Sequence, residues 1–296
     1  MITGFQLIEE EICQKITDEL DKVGLLYRIF SRSKDEKSIF EKIDRKALEG
    51  NPYFENKRLI QDIIGIRVVT YFRDDVELVK EILSKILDYK CEEIDSPDLT
   101  VFKPKRTNII CSFSEHQTET FNEVKLSINK DYFKILDSTF ELQLRTILSE
   151  GWHEIDHSLR YKCKSDWSGH YENERLLNGI YASLESNDIA LKNLFNELAY
   201  KHFKSKNWEG LIRNKFRLRF QLTPLKEEIK SILNENIEIG KHLIKIERES
   251  FILKLYELDI TLPVNMNNLV FLLNALVIKN KDLLNITPEI ILHEIN

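Results

Sequence analysis

Three short segments of this 296-residue chain hold residue types that handle phosphates and metal ions. In Arg32-Ser33-Lys34-Asp35, followed by Ser38 and Lys42, cations and a hydroxyl gather at the start and along one side of an expected helix. Ser38 and Lys42 are four residues apart and share a face, and a helix N-terminus with added Lys and Arg suits a polyphosphate anion. A solvated charged face is the plainer account of this segment taken alone. Asp62 sits immediately before the apolar run 63–71, with Gly65 and Arg67 inside it. An Arg within an apolar strand is costly unless it has a partner or emerges at a site, and an Asp at a strand edge is a usual place to hold Mg²⁺. A structural ion pair explains the two residues equally well. Phe140-Glu141-Leu142-Gln143-Leu144-Arg145-Thr146 alternates apolar and polar, so Glu141, Gln143 and Arg145 share one strand face, which points either to solvent or into a cleft.

Together with the run from Trp152 through His157, Tyr161 and Lys162, these segments resemble the synthetase domain of the RelA/SpoT family, which transfers the β,γ-pyrophosphate of ATP to the 3′-hydroxyl of a guanine nucleotide. The pieces follow the family's order and spacing across roughly residues 25–165. The resemblance implies that Arg32 and Arg67 sandwich the adenine and that Lys34, Ser38 and Lys42 hold the ATP phosphates. It makes Asp62 and Glu141 the catalytic, Mg²⁺-binding carboxylates, with Glu141 also taking the proton of the attacking hydroxyl. The same resemblance implies Lys105, Arg106, Ser114, His116, Gln143 and Arg145 as acceptor-side candidates, and that His157, Tyr161 and Lys162 would support the site.

The departure is in the acceptor loop. Where the family has Gly-Tyr-x-Ser-x-His after Pro-Lys, here Pro104-Lys105 precedes R-T-N-I-I-C-S-F-S-E-H, without the tyrosine that stacks on guanine. A guanine nucleotide bound with another ring such as Phe113, a different purine, and the tRNA 3′ end used by toxin-type members all stay open. The resemblance otherwise describes a short, synthetase-only member.

Other chemistries compete. His153-Glu154-Ile155-Asp156-His157 is a literal H-E-x-x-H, the helical spacing of a zinc peptidase, with Glu172, Glu174 or Glu185 as third ligand. Between Ala199 and Gln221, the cations from Lys201 through Lys204, Lys206, Arg213, Lys215 and Arg217 to Arg219 interleave with Phe203, Trp208, Phe216 and Phe220. Such mixing suits tRNA and equally a packed surface helix. A degenerate, nucleotide-binding regulator is a third class, which the presence of both Asp62 and Glu141 disfavours. Trp152 and Trp167 read as core residues.

Periodicity supplies the elements that must position these groups. Phe5, Ile8, Ile12, Ile16, Leu20, Val23 and Tyr27 predict a helix over 5–30, and a second helix starts near Asp35 and stops before Gly50-Asn51-Pro52. The β-branched run 63–71 predicts a strand buried on both faces, after which Asp74 and Asp75 cap a helix with Val79, Ile82, Leu83 and Ile86 inward. Strand-like pieces at 100–102, 108–113, 124–128 and 138–144 precede helices over 146–162 and a single long helix over 225–258. The order gives an α/β (α+β) fold: a mixed β-sheet flanked by helices over 1–185, nucleotidyltransferase-like by the resemblance, then an all-helical C-terminal domain over 186–296.

Composition narrows the class. Lys and Arg total 43 against 49 Asp and Glu, a net charge of -6, which argues against a chain coated in basic surface while allowing a local basic face. With 42% apolar residues, 9 Gly and 6 Pro, collagen, linker and mucin-like chains are excluded. Cys13, Cys91, Cys111 and Cys163 are dispersed, as suits reduced cytoplasmic thiols. The N-terminal run, with neither a basic nor an apolar region, is not expected to be a signal peptide, and no apolar run approaches the ~20 residues of a membrane span. A soluble cytoplasmic protein is expected, with ATP, a guanine nucleotide and Mg²⁺ as ligands. The helical domain reads as the place for an antitoxin-like neutraliser, a sensor or a dimerisation element.

Overall fold

The computed structural model describes residues 3–54, 59–94, 107–128, 131–221 and 223–295. Within them the first half of the chain runs α1 (Thr3–Lys22), β1 (Tyr27–Ser33), α2 (Glu36–Leu48), β2 (Ile64–Thr70), α3 (Asp74–Ser84), β3 (Asp88–Ile94), β4 (Thr107–Ser112), α4 (Glu115–Ile128), β5 (Thr139–Thr146) and α5 (Ile147–Ile155). The strands form one mixed sheet in the order β1-β2-β5-β4-β3; β2 and β5 are parallel and the other neighbours antiparallel. Alternation splits this sheet into two chemistries. Ile64, Ile66 and Val68 on β2, Phe140, Leu142 and Leu144 on β5, and Ile109 and Cys111 on β4 are buried. Phe140 stacks on Phe113 at 6.2 Å, and Phe113, Phe121, Phe5 and Phe133 continue an aromatic core beneath that face. The residues between them belong to the polar face, where the candidate site lies.

The mixed sheet with flanking helices agrees with the expected fold class, and several boundaries move. The first helix ends at Lys22 instead of continuing to residue 30, because Gly24 takes a left-handed backbone (φ +67°) and its N–H donates to the Asp21 carbonyl at 3.0 Å. Tyr27 is therefore buried from a strand and not from a helix. Residues 124–128 close α4 and are not a strand, since Ser114 and Gln117 form a reciprocal cap that starts a helix there. β3, which periodicity did not reveal, is an edge strand carrying Asp88, Lys90 and Glu92, charges that discourage further pairing. Residues 100–102 lie outside the described residues.

After α5 come a π-helical turn (Asp156–Tyr161), α6 (Lys164–Trp167), the 34-residue α7 (Tyr171–Lys204) and α8 (Trp208–Phe216). The single helix expected over 225–258 is three: α9 (Glu227–Glu235), α10 (Ile237–Lys245) and α11 (Arg248–Glu257). Asn236 breaks the first junction by accepting from the Glu238 N–H at 3.2 Å. Short helices α12 (Met266–Leu273), α13 (Lys281–Asn285) and α14 (Glu289–Glu294) complete the chain. No helix among the described residues is long and apolar enough to cross a membrane.

Two compact units divide the chain: Met1–Thr17, Tyr27–Thr70 and Leu83–Glu185 form the first, and Asp18–Leu26, Tyr71–Ile82 and Ser186–Asn296 the second. The first contains the sheet. In the second, Asp74 and Asp75 do not cap α3; they stand in its first turn and meet arginines from the C-terminal helices. Arg217 Nη2 reaches Asp74 at 2.5 Å and Arg248 Nη1 reaches Asp75 at 2.5 Å, all four residues being largely buried. Burial pushes the Asp75 carboxyl upward despite Arg248, the expected consequence of a charge held in the interior. Phe203, Trp208 and Phe216 are also core residues here, and Lys204 lies over the Tyr200 ring at 5.3 Å. The basic and aromatic stretch 201–219 thus uses most of its rings, and Arg217, for internal packing.

Gly24→Ala tests the turn that separates α1 from β1. An added Cβ would meet Val264 Cγ1 at 2.8 Å in a left-handed backbone, so a loss of about 1–2 kcal/mol is expected in denaturant unfolding. An unchanged midpoint would contradict this account of the turn.

Candidate active site

Asp62 is the group around which the site is built. The Lys34 N–H donates to the Ile63 carbonyl at 2.8 Å, which draws the end of β1 against the start of β2. Lys34 Nζ donates to the Asp62 carbonyl at 2.6 Å and pairs with Asp62 Oδ2 at 2.5 Å. Asp35 caps α2 by accepting from the Ser38 N–H at 2.8 Å, and one turn later Lys42 Nζ meets Asp62 Oδ1 at 2.6 Å. Burial works against the charged carboxylate, yet the ammonium groups of Lys34 and Lys42 outweigh it and hold Asp62 down at about 2. Lys34 is lowered in turn, by its own burial first and by the charge of Lys42, with Asp62 opposing.

The polar sheet face completes the arrangement. In register, Arg32 lies opposite Gly65 and Phe30 opposite Arg67, while Gly65 stands beside Glu141 and Arg67 beside Gln143. Gly65 has no side chain to fill the space between Arg32 and Glu141, leaving an open cleft of about 650 Å³ lined by Phe30, Arg32, Lys34, Asp62, Arg67 and Glu141 among others. Arg67 Nε donates to Gln143 Oε1 at 3.0 Å, and its Nη1 bonds the carboxylates of Glu150 and Glu154. Glu150 is shared, accepting from Arg145 Nη1 at 3.0 Å. Both oxygens of Glu141 accept amide hydrogen bonds of 2.9 Å, from Asn108 Nδ2 and Gln143 Nε2.

A second polar cleft of about 890 Å³ shares Arg32, Arg67 and Gln143 with the first and continues to Arg145, His157, Tyr161 and Lys162. The His157 and Tyr161 rings stack at 5.8 Å and 13° along the π-helical turn. Burial, then the positive charges of Lys162 and Arg32, keep His157 below its ordinary value, so it presents a neutral ring at neutral pH.

Of the residues singled out by sequence, Arg32, Lys34, Asp62, Arg67, Glu141, Gln143, Arg145, His157, Tyr161 and Lys162 line these adjoining clefts. Lys42 joins through its ion pair with Asp62, and Ser38 is half-buried on α2. Lys105 and Arg106 lie outside the described residues. Two acceptor candidates go elsewhere: Ser114 is committed to the cap of α4, and His116 is exposed, with Nε2 3.5 Å from Glu11. Phe113 belongs to the apolar core, stacked on Phe140, so its ring does not serve the cleft.

The H-E-x-x-H reading is not realised. His153 is buried against Trp152 and Tyr181 (5.4 and 6.0 Å between rings), Glu154 bonds Arg67, and His157 stacks on Tyr161. Among the described residues no group of three or more His, Cys, Asp or Glu forms that could hold a metal ion. Trp152 is core, while Trp167 is only half-buried. Sequence reasoning missed Phe30, half-exposed in the cleft, and the partners Asn108 and Glu150. The period-two spacing that puts Phe30 on the strand face of Arg28 and Arg32 is the signal for Phe30; nothing local marks the other two.

Residues 31–166, from within β1 to the end of the second cleft, match the family model described as a region found in RelA / SpoT proteins. Two relatives from Bacillus subtilis (strain 168) carry similar segments. GTP pyrophosphokinase YjbM is 28% identical over 137 residues, covering 45% of this chain and 56% of the relative. GTP pyrophosphokinase YwaC is 29% identical over 136 residues, covering 46% and 59%. The chain therefore spans a little over half the length of the curated relatives it matches. Among solved structures, small alarmone synthetase 1 from Bacillus subtilis bound to its product pppGpp aligns with a TM-score of 0.49 at 20% identity, over 67% of this chain and 96% of that one.

The clamp on Asp62 has a sign that can be checked. Its folded carboxyl titrates at about 2 against an ordinary 3.8, so the stabilisation is complete above the unfolded value and is lost as pH falls toward 2. In Lys42→Met the folded value rises and the window narrows. Acid unfolding curves should show a smaller loss of stability between pH 4 and 2 in this variant than in the wild type. Parallel curves would mean that Lys42 does not hold the carboxylate.

Proposed function

We propose that this chain is an ATP-dependent pyrophosphokinase that transfers the β,γ-pyrophosphate of ATP to the 3′-hydroxyl of a guanine nucleotide, an alarmone synthesis. The observation that carries the reading is Asp62, kept ionised between Lys34 and Lys42 in the same cleft as Glu141, Arg32 and Arg67. Phosphoryl-type transfer needs charge neutralisation and in-line positioning more than a covalent nucleophile, and this cleft offers cations and carboxylates in that combination.

Arg32 and Arg67 hold the adenine. The hydrogen bonds that Arg67 makes to Gln143, Glu150 and Glu154 lie in the guanidinium plane and leave its faces for stacking, while Phe30 adds a ring at the same end. Lys34, Ser38 and Lys42 take the phosphates. Asp62 and Glu141 are hard oxygen donors of the number Mg²⁺ accepts beside substrate phosphates, and Mg²⁺ held by them would neutralise the transferred group. Glu141 takes the proton of the 3′-hydroxyl as that oxygen bonds to the β-phosphorus; the bond to the α,β-bridging oxygen breaks and AMP leaves. Gln143, Arg145, His157, Tyr161 and Lys162 serve the acceptor end.

Incubation with ATP labelled in the γ-position, Mg²⁺ and, separately, GDP, GTP and bulk tRNA tests the reading. Labelled guanine nucleotide with an equal yield of AMP is expected, reduced at least about a hundredfold in Asp62→Asn and in Glu141→Gln. Label on tRNA alone would replace the guanine nucleotide by an RNA acceptor, and no transfer to any acceptor would favour the regulator. Glu150→Gln, which removes the carboxylate shared by Arg67 and Arg145, should raise the KM for ATP several-fold while changing kcat less; an unchanged KM would remove Glu150 from the nucleotide site.

A further inference from the structure

The hydrogen bonds around Glu141 fix their own polarity. Arg67 can only donate, so Gln143 must turn its amide oxygen to Arg67 Nε (3.0 Å) and its NH₂ to Glu141 Oε2 (2.9 Å). A carboxylate can only accept, so Asn108 must present its NH₂ to Glu141 Oε1, also at 2.9 Å. Asn108 reaches it because the β4–β5 register puts Asn108 opposite Gln143, diagonal to Glu141 on the same face.

This orientation has a cost that identifies what Asn108 is for. Its Oδ1 is buried and accepts no hydrogen bond among the described residues. A buried amide oxygen without a donor is destabilising, and an apolar side chain of the same size would avoid the loss. Packing alone therefore does not account for an asparagine here; the donated hydrogen bond to Glu141 does. We propose that Asn108 is a positioning residue for Glu141: with Gln143 it holds the carboxylate by both oxygens, fixing the group that lines the cleft in one orientation. This rests on the reading of Glu141 as the metal-binding base.

Three variants separate the donated hydrogen bond from the space it fills. Asn108→Leu keeps the size without a donor, Asn108→Asp keeps the shape and removes the donor, and Asn108→Gln keeps an amide. Loss of an orienting bond acts on the transition state, so kcat should fall at least about tenfold in Leu and Asp variants with the KM for ATP within about twofold, and the Gln variant should recover part of the rate. A second readout needs no turnover: the side-chain NH₂ resonances of Asn108 should shift in Glu141→Gln. Wild-type kcat in the Leu and Asp variants, equal losses in kcat/KM arising from KM alone, or Asn108 resonances indifferent to Glu141→Gln would each overturn the proposal. If the wild-type protein transfers no pyrophosphate, the reading of Glu141 fails, and the resonance experiment still decides whether Asn108 is coupled to it.

Discussion

A carboxylate removed from most of its water must be matched by charge, and Asp62 is matched twice. Lys34 comes from the residue after β1 and Lys42 from the second turn of α2, so satisfying one half-buried acid ties the connection between those elements to the start of β2. Everything else in the cleft takes its position from that strand. Gly65 is three residues on from Asp62 and Arg67 two further, and their partners in the parallel register are Glu141 and Gln143. Removing either lysine would leave the carboxylate short of a partner and loosen the corner from which the polar face is laid out.

The sheet itself divides the work by alternation. One face buries aliphatic residues and a chain of stacked phenylalanines, and the other carries acids, amides and guanidinium groups linked in series from Asn108 through Glu141 and Gln143 to Arg67, Glu150 and Arg145. Such a network orients each member by the next, because donors and acceptors of fixed type leave few other arrangements. The apolar layer beneath is what keeps the polar groups in register, since a slip of one residue would move Glu141 and Gln143 into the core.

The sequence made the two central strands visible, because β2 is dense in β-branched residues and β5 alternates strictly; Asp62, Arg67, Glu141, Gln143 and Arg145 were legible with them. β1 was hidden because Val23 and Tyr27 continue the helical spacing of α1 across Gly24, and a periodicity argument does not feel a left-handed backbone. Ser114 was misplaced because a Ser followed three residues later by Gln is a helix-capping pattern as much as part of a loop motif. Asn108, Glu150 and Glu154 meet their partners 33, 83 and 87 residues away, separations that no local pattern encodes. The same holds for Asp74 and Asp75, whose acids looked like caps until Arg217 and Arg248 arrived from far along the chain.

The central claim is that Asp62 and Glu141 act together on a cation and a polyphosphate in one cleft. Manganese titration followed by electron paramagnetic resonance, in the presence of a non-hydrolysable ATP analogue, tests it most directly. The wild-type protein should bind Mn²⁺ at least about tenfold more tightly than either Asp62→Asn or Glu141→Gln, with the analogue alone binding both variants as it binds the wild type. Equal Mn²⁺ affinity in all three proteins would contradict the account and leave the two carboxylates as structural partners of their lysines and amides.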